Sequence, residues 1–91
     1  MDRIEIIPIQ LAALANELRN IYAMQILNQA KVNDEKQLTG DPEADKTLKA
    51  DAKQARWVLV KQARLIETRT AMMDDLNTEF ASMAGGKAEI P

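Results

Sequence analysis

From Pro42 to the pair Gly85-Gly86 the chain runs for about 43 residues with no glycine and no further proline to stop a helix. Along that run one set of residues steps by three and four: Leu48, Ala52, Ala55, Leu59, Gln62, Ile66, Arg69, Met73, Leu76, Phe80 and Met83. Nine of these eleven are apolar, so the stepping gathers them on one side of an α-helix; a strand would need a period of two. A seven-residue repeat kept up this long points to a coiled-coil seam. The spacing predicts a helix over residues 42–84, roughly 60 Å long at 1.5 Å per residue. Val58, Leu65 and Met72 widen its stripe on one flank. The start is marked by Gly40-Asp41-Pro42-Glu43. Asp41 can cap the helix, Pro42 suits a first helical position, and Glu43 sits at the positive end of the helix dipole.

The first third of the chain carries a shorter version of the same pattern. Ile4, Ile7, Leu11, Leu14, Leu18 and Ile21 step by three and four, meet Gln25 and Asn28, and return to Val32. A proline is tolerated in a first turn, which places the start of this helix near Pro8 and predicts a helix over 8–32. Gln25 and Asn28 have two readings: polar groups within the seam that fix register at some cost in stability, or points where the repeat drifts off the contact face, because 3.6 residues per turn does not match 3.5. A second apolar set, Ile9, Leu27, Ala12 and Ala23, lies away from the stripe. A helix apolar on more than one side has neighbours on more than one side. Residues 33–41 are polar and aperiodic and read as a loop.

The expected fold is therefore all-α: one domain over residues 1–91, an antiparallel helical hairpin with a short first helix and a long second helix. It is coiled-coil-like and oligomeric, with 85–91 a frayed tail. Thr68-Arg69-Thr70 is the weakest stretch of the second helix and a place where it could bend. A first helix of about 25 residues reaches roughly 37 Å and would cover the second only from Glu43 to about Ile66. The stripe beyond, Met72, Met73, Leu76, Phe80 and Met83, is then expected to be free for another helix. Such an exposed apolar patch marks an interaction surface, and methionine adapts to irregular partners. With Leu59 and Ile66 these form the expected interaction residues, and Trp57 anchors a second surface.

Composition narrows the chemistry. The chain has no cysteine and no histidine, which removes disulfides, thiol nucleophiles and the usual zinc sites. Ser82 has no histidine to activate it. Asp74 and Asp75 are adjacent on a helix and diverge by about 100°. Gly40-Asp41-Pro42 lacks the pattern of a phosphate loop. The reading is a non-enzymatic protein with no catalytic residue, no cofactor, no metal site and no small-molecule substrate.

Charge is distributed in blocks. Residues 1–45 carry four basic and eight acidic groups, 46–69 seven basic and two acidic, and 70–91 one basic and four acidic. Lys46, Lys49, Lys53, Arg56 and Arg64 lie on one helical face and could track nucleic acid or an anionic membrane. A net charge of −2 and a pI near 5.1 weigh against that partner and favour an acidic helix. The expected partner is a second copy of the chain or another helical protein. No apolar run is long enough to cross a membrane, and the acidic start lacks the basic region of a signal peptide. A cytoplasmic protein is expected as synthesised, and signal-independent export is compatible with the same features. In outline, with a short helix, a proline-containing loop and a longer C-terminal helix, the chain resembles the needle or rod subunits of type III secretion machines. It resembles equally the small helical chaperones of such subunits. That resemblance, which no residue motif carries, implies a subunit or chaperone of a macromolecular assembly.

Overall fold

The computed structural model describes residues 1–88, with side chains to Ala84. Two helices, α1 (Arg3–Asp34) and α2 (Pro42–Ala88), fold back on one another as a hairpin, and there is no strand among the described residues. The molecule measures 71 × 26 × 14 Å. Its long dimension is the length of α2, whose 47 residues span about 70 Å.

Both repeats form the seam between the helices. Ile4, Ile7, Leu11, Leu14, Leu18, Ile21, Gln25, Asn28 and Val32 of α1 are all buried or half-buried, and so are the eleven stepping residues of α2. Ile7, Leu14, Ala52 and Ala55 are the buried apolar core among the described residues. Gln25 and Asn28 do not drift off the contact face. Asn28 is 6% exposed and Gln62 7%. The side-chain amide of Asn28 donates to the Met24 carbonyl at 3.0 Å and approaches Gln62 Oε1 at 3.4 Å. Burying an amide is costly unless it is bonded, and the Asn28 amide is bonded both to its own helix and to the Gln62 oxygen across the seam.

α1 begins at Arg3 and not near Pro8. Asp2 is extended and its carbonyl accepts the Glu5 and Ile6 amides at 3.0 and 3.1 Å, so the helix is already wound when it reaches Pro8. A proline inside a helix costs about 3 kcal/mol. Winding Arg3–Ile7 buries Ile7 completely and half-buries Ile4 and Ile6. Each large apolar side chain buried is worth about 1.5–3 kcal/mol, so tertiary packing outweighs the proline.

The extra turns change what α1 covers. Three ion pairs run in antiparallel order, Arg3 to Glu79, Glu17 to Arg69 and Glu35 to Arg56. α1 thus lies along α2 from about Glu79 to the neighbourhood of Arg56. Met73, Leu76, Phe80 and Met83 face α1 and are half-buried, so the expected free C-terminal stripe is occupied by the chain's own first helix. The excess length of α2 lies at its other end, where the first turns rise past α1 and residues 35–41 run beside them. α2 runs unbroken through Thr68-Arg69-Thr70, where the Thr68 hydroxyl donates to the Arg64 carbonyl at 2.9 Å. Nor does α2 stop at Gly85-Gly86; it continues to Ala88. Glycine weakens a helix by about 1 kcal/mol and ends one where it turns left-handed. Of the tail expected to fray, residues 89–91 lie outside the described residues.

Candidate helix-packing interface

The connection between the helices is held by one side chain. Asp45 accepts the Thr39 amide at 2.8 Å, the Thr39 hydroxyl at 3.0 Å and the Gly40 amide at 3.0 Å. Gly40 sits at φ 86°, which glycine adopts without steric cost. Asp41 caps α2 as its type suggests, accepting the Glu43 amide at 3.2 Å. The Thr39 amide holds the Asp45 carboxyl below its ordinary range; desolvation opposes it, and the Thr39 hydroxyl, the Gly40 amide and the charge of Lys49 add to the lowering. This clasp fixes where α2 starts and hence which turns stand beyond α1.

Two helices can hide only one side of each other, and their outer sides differ. On α1, Ile9 is 59% exposed, Ile26 72% and Leu27 58%, with Tyr22 and Met24 about half-exposed. From Asn20 to Ala30 this helix carries no charged residue. The outer side of α2 is lined by Lys46, Lys53, Lys61, Arg64, Asp74 and Asp75, all exposed. Trp57, 63% exposed, and Val60 are the exceptions, and with Lys53 and Arg56 they form a shallow hollow. A second hollow, lined by Tyr22, Gln25, Ile26, Gln29 and Leu59, opens along the groove between the helices. A third, of about 430 Å³, has apolar walls from Ala13, Leu14, Met72 and Leu76 near the other end.

The expected interaction residues therefore divide. Leu59, Ile66, Met73, Leu76, Phe80 and Met83 belong to the intramolecular seam. Met72 and Trp57 are exposed and available. Of the basic stripe, Lys46, Lys49, Lys53 and Arg64 are exposed, while Arg56 is paired with Glu35. The α1 surface of Tyr22, Met24 and Ile26 is the part that pattern reasoning leaves out. Ile9 and Leu27, standing off the main stripe, are its signal. Among the described residues no group of three or more acidic side chains is placed to hold a metal ion, and no helix is long and apolar enough to cross a membrane.

The hairpin exposes 6856 Å². A compact monomer of its mass exposes about 5300 Å². Its radius of gyration is 20.5 Å. A compact chain of this length has about 12 Å. The surplus, about 1500 Å² on one chain, exceeds the roughly 800 Å² that each partner gives to a specific protein–protein interface. Compared with known proteins, the chain matches no family model, no curated protein and no solved structure.

Proposed function

We propose that this protein is a non-enzymatic subunit of a helical assembly, joining copies of itself or another helical protein through the outer face of α1. One observation carries the reading: α1 leaves Ile9, Tyr22, Met24, Ile26 and Leu27 in solvent after α2 has covered its other side. Large apolar side chains gathered in the open from Tyr22 to Leu27, with Ile9 nearer the start of the helix, mark a candidate interaction site on a small protein. The uncharged run from Asn20 to Ala30 supports it, since the centres of interfaces are depleted in charge. Met72, which lines a hollow shared with α1, extends the apolar surface into one groove, whereas Trp57 stands on the opposite side of the hairpin.

A photoreactive residue at Ile26, introduced in the living cell, tests this. Discrete adducts are expected from Ile26 and not from the same residue placed at Asp74 on the back of α2. Equal labelling at the two sites, or none at Ile26, would remove the reading.

A further inference from the structure

We infer that the occupant of α1's outer face is a second copy of this chain, packed antiparallel about a two-fold axis near Leu18. This rests on the preceding reading of α1 as the docking face and names its partner. The evidence is the order of residues along the face itself. A two-fold contact uses the same patch on both subunits, so a helix that pairs antiparallel with its own copy must read alike from both ends. The outer face of α1 does so. Ile9 stands at one end and Leu27 at the other, each a branched apolar residue more than half exposed. Inboard of them are alanines, Ala12 and Ala13 on one side and Ala23 on the other, all exposed. At the centre are amides, Asn16 and Asn20.

Reversing the helix about Leu18 therefore places large against large, small against small and amide against amide. Ile9 meets Leu27 of the copy, Ala13 meets Ala23, and Asn16 meets Asn20. The steps of three and four that make the seam with α2 recur here a half-turn away, which is what knobs-into-holes packing needs on a second side. Facing alanines let the two backbones approach closely. A polar pair at the middle of an otherwise apolar contact sets register, since a slip of one turn would set an amide against an alanine.

Charge points to the same orientation. Residues 19–68, the half of the hairpin that includes the connection, carry nine basic and seven acidic groups. The other half, residues 1–18 and 69–88, carries three basic and six acidic groups. An antiparallel copy lays the positive half along the negative half, whereas a parallel copy would set like against like. The surplus of about 1500 Å² over a compact monomer is what each chain has to offer, and a stable pair needs about 800 Å² from each.

The absence of cysteine makes the test clean. Sedimentation equilibrium should give twice the chain mass of 10.2 kDa, and Ile9→Glu with Leu27→Glu should return it to the single-chain mass with helicity kept. Oxidation of an equimolar mixture of Ala13→Cys and Ala23→Cys chains should give a disulfide-linked pair, while neither chain alone links. Linkage by Ala13→Cys alone would mean parallel packing and overturn the inference. So would a larger particle, or a dimer that no mixture links. A chain that stays at 10.2 kDa at every concentration would also overturn it. Adducts at Ile26 in the cell would then still uphold the assembly reading, with another helical protein as the partner.

Discussion

α1 and α2 share one seam and differ on their backs. Toward each other they present the same repeat, and either could be the inner helix of a bundle. Outward, α2 shows lysine, arginine and aspartate, while α1 shows isoleucine, leucine, tyrosine and methionine. The seam explains why the chain is a hairpin, and the backs explain which side is left to do something. A heptad repeat alone says that a helix has a partner. Only the residues left over after that partner is in place say whether it has a second one.

The sharpest way to break this comparison uses two isoleucines two positions apart. Ile7 is fully buried against α2 and Ile9 is 59% exposed. Ile7→Ala should cost about 2–4 kcal/mol, as large-to-small core changes do. Thermal unfolding followed by circular dichroism should show it, with helicity lost first in the turns before Pro8. Ile9→Ala should leave that transition almost unmoved when measured at the lowest protein concentrations and lower the particle mass at high concentration. Similar losses from both, independent of concentration, would mean that Ile9 supports the hairpin and that the two sides of α1 do not have separate roles.

The next effect tests the polar layer within the seam. Asn28→Leu alone leaves Gln62 Oε1 without its donor and should cost about 1–3 kcal/mol. Asn28→Leu with Gln62→Leu should recover that loss or exceed it, since the layer gives specificity at the expense of stability. Non-additivity in the double-mutant cycle is the readout. A doubly substituted chain less stable than either single one would mean that the amides contribute more than register. Smaller still is the bidentate pair of Arg3 with Glu79, whose two bonds are each 2.9 Å long. Arg3→Ala should cost at most about 1 kcal/mol, and less at high salt, because the two side chains remain 47% and 39% open to solvent.

These contrasts also show which parts of the molecule local pattern carries. Period and breakers are local, so the two helices, the seam residues of each and the Asp41-Pro42 start are legible from the string of letters. The start of α1 is not, because Pro8 is a local cost offset by a distant gain, the covering of Ile7 by α2. The error propagates: with α1 taken as short, the Met73–Met83 stripe looks free, and attention goes to the wrong end of the molecule. The bond between Asn28 and Gln62 is equally hidden. Each looks like an interruption of its own repeat, and only the fold brings the two interruptions together. The apolar back of α1 is half legible, in Ile9 and Leu27. Its weight becomes clear once the C-terminal stripe is seen to be occupied.

The smallest predicted effect separates the two ends of the hairpin. At the connection everything converges on one carboxylate, and Asp45 is held in its charged form by the Thr39 and Gly40 donors and by Lys49. Its folded pKa lies below its ordinary value of 3.8. A depressed carboxyl stabilises the fold above the unfolded pKa, and that contribution is lost as pH falls through the lower, folded pKa. Acidification below about pH 4 should therefore loosen this end first. Amide exchange at Thr39 and Gly40 should lose protection while the seam amides of Leu14 and Ile66 keep theirs. Asp45→Asn should produce the same local loss at neutral pH and flatten its dependence on acid. Equal loss along the whole seam would mean that the connection has no independent stability, and that the register of the helices, not the clasp, decides where α2 begins.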